Sequence, residues 1–204
     1  DLICGKQVTV KTGSGLMPDR YRVFPAPLQA ALRTFTSKGG NVLISGANIG
    51  TDIWDRVYEV ECDSTFRAET MEFAEKVLGY RWITGFGSKS AEVKPYGKNI
   101  LADGVRNAKT ARFSYNNDYD SRLYRVEAPD GLAPVPAENG KGGNPEADAS
   151  SGTFLRYADT DISAGIYNDM GRYKTVAIGF PIETVKDGKA IDSIMEVTLK
   201  FFEK

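Results

Sequence analysis

The most distinctive group of residues is a turn that has the spacing of a nucleophile site but carries an amide in the nucleophile's place. Residues 42–45 (Val-Leu-Ile-Ser) read as a buried strand that runs directly into Gly46-Ala47-Asn48-Ile49-Gly50. A Gly-x-nucleophile-x-Gly turn after a parallel strand presents a reactive side chain at the strand's end. Asn48 occupies that position, and the chain has no histidine to act as a base. We therefore predict no nucleophilic catalysis at this turn.

Two segments have the position at which open α/β sheets bind ligands, beyond the carboxyl ends of strands. One is 45–54, and the other is 179–183, which follows the apolar run 175–178. We predict a ligand-binding site without a catalytic residue, a metal or a cofactor. Its predicted side chains are Ser45, Asn48, Asp52, Trp54 and Glu183.

Several of these side chains also have a structural interpretation. Asn48 either binds a ligand through its amide or tolerates a left-handed backbone in a tight turn. Glu183 either contacts a ligand or caps the following turn. Trp54 and Tyr58 either stack on a sugar ring or pack partly buried against the core.

Two oxygen-rich groups have a further chemical interpretation. Asp52 and Asp55 flank Trp54, but sequence neighbours have no defined separation of the kind that glycoside hydrolysis requires. Residues 116–120 (Asn-Asn-Asp-Tyr-Asp) offer oxygen ligands for calcium, yet the twelve-residue EF-hand pattern is missing. A plain turn is the favoured interpretation of 116–120.

Hydrophobic periodicity predicts an α/β order at first and short strands afterwards. The predicted helices are 25–38, 64–78 and 188–202, and the predicted strands are 42–45, 80–84, 91–93, 110–115, 123–127, 153–157, 162–167 and 174–179. Residues 137–152 read as a surface loop. Parallel strands are few, and residues 2–4 resemble the end of a strand, so we expect the natural protein to extend upstream of Asp1 with a further βαβ unit.

Composition excludes some classes of function. The chain has 204 residues and a net charge of −1, so no overall field would recruit nucleic acid or an anionic membrane. No apolar run is long enough to span a bilayer. The two cysteines, Cys4 and Cys62, form either buried thiols or a disulfide, and we favour a buried thiol for Cys4.

Short segments spread over nearly the whole chain carry a family resemblance by their order and spacing: 1–7, 28–32, 39–47, 49–54, 163–166, 173–175 and 179–183. They are similar to the class I glutamine amidotransferase-like, flavodoxin-like domain of secreted Bacteroidetes proteins called xanthan lyases. The resemblance implies a flavodoxin-like parallel sheet core with an added β-rich portion. Amidotransferases use cysteine, histidine and glutamate, whereas here Asn48 and Phe180-Pro181 stand at the first two positions and Glu183 alone remains. The resemblance therefore implies the fold and not the amidotransferase activity.

These observations predict a single domain, 1–204, that is a non-catalytic binding or structural module of a secreted or cell-envelope polysaccharide-processing protein. Its expected partners are polysaccharide and other domains of the same protein. Two alternatives stay open. One is an enzyme, either a xanthan lyase-like polysaccharide lyase or a carboxylate-dependent glycan hydrolase, with Tyr58, Tyr167, Arg56 and Asn48 as available groups. The other is a domain that docks its neighbours within a longer chain.

Overall fold

The structure is a computed structural model that describes residues 7–8, 20–55, 64–107, 112–119, 122–135 and 151–203. Some sequence-based interpretations lie outside the described residues. They concern the thiols of Cys4 and Cys62, the strand at 2–4, the side chains of Arg56 and Tyr58, Asp120, and most of the loop at 137–152.

Within the described residues the structure has ten strands and five α-helices. The strands are β1 (Gln7–Val8), β2 (Arg20–Tyr21), β3 (Val42–Ser45), β4 (Tyr80–Thr84), β5 (Glu92–Pro95), β6 (Phe113–Ser114), β7 (Gly131–Pro134), β8 (Ser151–Tyr157), β9 (Ser163–Asp169) and β10 (Lys174–Ile178). The helices are α1 (Ala26–Ser37), α2 (Thr51–Trp54), α3 (Ser64–Phe73), α4 (Ile100–Asn107) and α5 (Gly188–Glu203). A π-helical segment, Ala74–Leu78, continues α3, and a 3₁₀ turn, Ile182–Thr184, precedes α5.

Eight of the described strands form one sheet. Its main path is β3-β10-β9-β8-β5-β6, and β7 joins it by pairing with both β9 and β4. β3 and β10 are parallel, with Val42 opposite Thr175 and Ser45 opposite Ile178, whereas the other pairings between described strands are antiparallel. The chain is a mixed α/β protein with a curled, mostly antiparallel sheet. The predicted flavodoxin-like parallel core is not confirmed, because that core needs several adjacent parallel strands.

Helices cover the sheet on both sides, and each side has its own core. The first core lies under α4 and α5 and contains Tyr115, Phe154, Tyr157, Val176, Ile178 and Phe180. The second lies under α1, α2 and α3 and contains Phe73, Leu78, Tyr80, Ile166 and Ala177. Successive residues of β10 therefore face opposite cores, and all five are buried. The unbroken apolar run of β3 predicts burial on both faces for that strand, but only its first residue is buried and the other three are half-buried.

The first helix and the strand after it form as their sequence predicts. Pro27 lies in the first turn of α1, and Gly39 follows the helix with a φ of +90°, a conformation that glycine adopts without a Cβ penalty. Phe35 is 52% exposed near the end of α1. Its ring lies against Gly40, where an added Cβ would be 2.3 Å from Phe35 Cε1. Phe35 therefore marks the end of the sheet at which β3 begins.

The sequence pattern misses five elements, which are β1, β2, α2, α4 and β7, and one predicted strand is wrong. α4 is missed partly because Gly104 interrupts its helical pattern. An added Cβ at Gly104 would lie 2.0 Å from Val197 Cγ1, so the glycine allows α4 and α5 to approach closely. Residues 123–127 form a loop and not a strand. The side-chain amide of Asn116 donates hydrogen bonds to the carbonyl oxygens of Leu123 and Tyr124 over 2.9 and 3.1 Å, so these carbonyls are not free to pair with a strand.

Candidate functional site

The carboxyl ends of β3 and β10 lie side by side at one end of the sheet. Gly46 N donates a hydrogen bond to Ile178 O over 3.0 Å, and Ile182 N donates to Ser45 Oγ over 3.4 Å. The two segments singled out in the sequence, 45–54 and 179–183, therefore meet. We call this end of the sheet, with the loops that leave it, the strand-end edge.

Asn48 is exposed on the turn that leaves β3. The turn bends sharply into α2, since Asp52 N donates to Asn48 O over 3.3 Å and Ile53 N donates to Gly50 O over 2.9 Å. Among the non-glycine residues of the described chain, a positive φ occurs at Ala91 and Asp161. Asn48 therefore has a negative φ. The left-handed backbone interpretation of Asn48 is therefore wrong. Its amide faces solvent at the position where a nucleophile would stand.

Ser45 is half-buried at the end of β3. Its hydroxyl oxygen accepts the hydrogen bond from Ile182 N, and within the described residues no carboxylate is hydrogen-bonded to it. A serine needs a neighbouring proton acceptor to become a nucleophile. The arrangement at Ser45 joins the two segments of the strand-end edge and supplies no such acceptor.

Asp52 and Trp54 are held by packing contacts on α2. The carboxylate of Asp52 accepts a hydrogen bond from Val23 N over 2.9 Å, which ties the segment before α1 to α2. The ring of Trp54 is tilted against Tyr80 with 6.2 Å between the centroids, and it packs partly buried on the second core. Of the two interpretations of Trp54, sugar stacking and packing against the core, the structure shows packing.

Glu183 is exposed in the 3₁₀ turn after β10. It follows Ile182, whose backbone binds Ser45, so its side chain belongs to the strand-end edge. The hydrogen bonds that close the turn come from Thr184, whose backbone N and Oγ1 both donate to Pro181 O. Of the predicted site residues, Asn48 and Glu183 are exposed at this edge, and Ser45, Asp52 and Trp54 are half-buried.

A residue that the sequence does not reveal, Asp130, anchors this edge. Its side chain is fully buried. The carboxylate accepts hydrogen bonds from Gly50 N at 2.6 Å, Thr51 Oγ1 at 2.5 Å and Trp82 Nε1 at 3.1 Å, and Thr51 N lies 3.2 Å from both oxygens. Its backbone N donates to Gly179 O over 2.7 Å. Asp130 therefore fixes both strand-end segments to β4 and to the start of β7.

Burial raises the pKa of Asp130 from 3.8 to about 6, against the opposing effect of the hydrogen bonds it accepts. A buried carboxyl group with a raised pKa is often found in active sites. Here the donors already surround the carboxylate and the side chain is not exposed, so no substrate reaches it. The sequence around it, Pro129-Asp130-Gly131, has the composition of an ordinary surface turn, which conceals the anchor.

Close contacts around Asp130 explain two glycines of the candidate site. An added Cβ at Gly179 would lie 2.0 Å from Asp130 O, and one at Gly50 would lie 2.5 Å from Trp82 Cδ1. Both positions thus exclude a side chain for reasons of space. The glycine of the nucleophile-like turn therefore has a packing role that needs no catalytic explanation.

Two buried tyrosines support the same region through backbone carbonyls. Tyr80 donates to Ile49 O over 2.8 Å, and Tyr157 donates to Asp130 O over 2.8 Å. Burial is the main cause that raises the pKa of both phenols well above the usual value, and the negative charge of Asp130 adds to it. They stay protonated and act as hydrogen-bond donors that hold the turn.

The remaining candidates lie elsewhere. Tyr167 packs edge-on against Phe201 with 5.7 Å between the centroids, and burial raises its pKa. Asn116 is fully buried, and its amide oxygen accepts from Asp118 N over 3.3 Å, so its side chain binds the loop's own backbone. In the part of the chain that the structure describes, no group of three or more acidic or cysteine side chains is placed to hold a metal ion.

The chain was compared with protein-family models, with curated proteins and with solved structures, and none of them matches it. The resemblance to amidotransferase-like domains therefore stays a prediction. Within the described residues no helix has the length and apolar character needed to cross a membrane.

Proposed function

We propose that this chain is a non-catalytic saccharide-binding module, derived from an amidotransferase-like domain, in a secreted or cell-envelope protein that processes polysaccharide. The observation that carries the proposal is the exposed amide of Asn48 at the turn after β3, in a chain that contains no histidine. A side-chain amide donates and accepts hydrogen bonds, as sugar hydroxyls require. It does not attack an electrophile.

The arrangement of the strand-end edge supports binding. Asn48 and Glu183 stand exposed on two segments that the hydrogen bonds of Ser45 and Asp130 hold together. A surface that is fixed before a ligand arrives loses little conformational freedom on binding. We also propose that β3 and β10 are what the chain keeps of a flavodoxin-like parallel core. Their parallel pairing, with helices on both faces, is the supporting feature.

Calorimetric titration of the 204-residue chain with uronate-containing polysaccharides such as xanthan tests the proposal. Changing Asn48→Ala and Glu183→Ala together should weaken binding by about tenfold or more, because each substitution removes hydrogen-bonding groups from the edge. Glu203→Ala, an exposed substitution at the far end of α5, is the matched control and should bind like the unchanged chain. Unchanged affinity in the double variant would contradict the proposed site.

An assay for catalysis separates this proposal from the lyase alternative. A polysaccharide lyase leaves an unsaturated uronate, which absorbs in the ultraviolet. We expect no absorbance to develop with xanthan or related glycans. Turnover that is lost on Tyr167→Phe or Asn48→Ala would overturn the non-catalytic proposal in favour of the lyase.

A further inference from the structure

Three aromatic side chains are far more exposed than the other large hydrophobic residues of the described chain. Tyr119 is 79% exposed, Phe86 is 71% and Tyr124 is 70%, and the next most exposed is Leu199 at 55%. All three belong to loops of the strand-end edge, as the contacts of those loops show. We call Phe86, Tyr119 and Tyr124 the aromatic rim.

Phe86 stands on a backbone that is fixed on both sides. Gly85 lies so close to α2 that an added Cβ would be 2.8 Å from Thr51 Oγ1. Gly87 N donates to Pro129 O over 2.8 Å, next to the anchoring Asp130, and Gly87 O accepts from Thr160 Oγ1 over 2.5 Å. The exposure of Phe86 therefore belongs to an ordered turn.

Tyr119 and Tyr124 stand on the loop that the buried Asn116 holds together. Asn116 N donates to Thr184 O over 2.8 Å, which places the loop beside the turn that carries Glu183. Lys186 Nζ binds Asp118 over 2.6 Å and adds a second link to the same segment. The guanidinium of Arg125 lies 3.3 Å from the centre of the Tyr119 ring, so one face of that ring is already ordered.

We infer that the aromatic rim is a stacking surface for successive rings of an extended saccharide chain, and this inference rests on the proposed function. An exposed apolar ring on an ordered backbone gains free energy when a ligand with an apolar face covers it. A stable protein interface needs about 800 Å² on each partner with an apolar centre. On the loop of Tyr119, by contrast, charged groups accompany the ring: Arg125 lies over the ring of Tyr119, and Lys186 binds the neighbouring Asp118. Sugar rings match this pattern, because they offer apolar faces and hydroxyl edges.

Titration with xanthan oligosaccharides tests the inference on the full chain. The variants Phe86→Ala, Tyr119→Ala and Tyr124→Ala should each weaken binding by about tenfold, an effect typical of removing one stacked ring. Because these side chains are mostly exposed, the variants should keep the melting temperature of the unchanged chain. Phe35→Ala is the matched control, since Phe35 is a half-exposed aromatic at the opposite end of the sheet.

The outcomes distinguish this inference from the proposed function. In one outcome the unchanged chain binds, the double variant of Asn48 and Glu183 binds more weakly, and all three rim variants bind like Phe35→Ala. This outcome overturns the rim inference and leaves the proposed function standing. A rim that serves a protein partner would give that result. If the unchanged chain binds none of the glycans, both are overturned.

Discussion

Asp130 shows how a buried residue determines the geometry of an exposed site. Four donor groups from Gly50, Thr51 and Trp82 converge on its carboxylate, and its backbone binds Gly179. The side chains available to a ligand, Asn48 and Glu183, lie on the two segments that Asp130 joins. Because burial raises its pKa to about 6, Asp130 also couples the stability of this region to pH.

The change Asp130→Asn should alter how stability depends on pH. The folded protein holds the Asp130 proton more tightly than the unfolded chain does, since the pKa rises from 3.8 to about 6 on folding. The stability from this group is therefore complete below about pH 4 and is lost as pH rises through 6. The free energy of unfolding of the wild type minus that of Asp130→Asn should fall by about 2 kcal/mol between pH 4 and 7, measured by urea denaturation.

The control for this measurement is Asp103→Asn, because Asp103 is an exposed carboxylate paired with Arg106 on α4. An exposed pair of this kind contributes about 1 kcal/mol or less, so the free energy of unfolding of Asp103→Asn should stay within about 1 kcal/mol of that of the wild type. A difference between wild type and Asp130→Asn that rises with pH would contradict the raised pKa of Asp130.

At the scale of elements, the close approach of α4 and α5 depends on one glycine. Alanine normally favours a helix over glycine by about 1 kcal/mol. At Gly104 the new Cβ would meet Val197 Cγ1 at 2.0 Å. Gly104→Ala should therefore destabilise the protein by about 1–3 kcal/mol, the usual cost of overpacking a core, as a lower urea midpoint would show.

The double variant Gly104→Ala with Val197→Ala tests the cause of that loss. Removing the methyl groups that the new Cβ meets should recover part of the stability, so the double variant should be more stable than the sum of the single changes predicts. Strict additivity would mean that Gly104 is needed for a reason other than its contact with Val197.

Elements with a regular pattern and clear end signals could be predicted from sequence, and the others could not. β3 follows from its apolar run, and α5 from its helical periodicity. α4 is not predicted because Gly104 weakens its helical pattern. The helix nevertheless has a cap, since the side chain of Asn99 accepts a hydrogen bond from Ala102 N over 2.9 Å. The strand expected at 123–127 does not form because the side-chain amide of Asn116, in the same loop, donates hydrogen bonds to the carbonyls of Leu123 and Tyr124. Such contacts within a loop leave no periodic pattern in the sequence.

For the site, the sequence predicts that two segments approach each other but not what holds them. In open α/β sheets, ligands bind beyond the carboxyl ends of the strands. This rule locates 45–54 and 179–183 from the sequence alone. Asp130 lies about 80 residues from Gly50 along the chain, in a segment that resembles a surface turn. Its burial depends on the antiparallel strands β4 and β7, which a parallel fold does not include.

At the scale of the whole molecule, β10 is the strand on which the two cores depend. It lies between β3 and β9, and each of its five residues is buried. The amides of Val176, Ala177 and Ile178 should therefore exchange with solvent only on global unfolding. Among the described strands, β4 pairs with β7 alone. In native-state hydrogen exchange, the amides of β10 should therefore exchange about tenfold or more slowly than those of β4. Equal protection would mean that the sheet opens as one unit.

The anchor of the strand-end edge has zero exposure, whereas the groups around its rim face water. Changes at positions 48, 86, 119, 124 and 183 leave the carboxylate of Asp130 and its donors untouched. Under the proposed function, surface substitutions therefore change the groups that meet a ligand without touching the buried anchor.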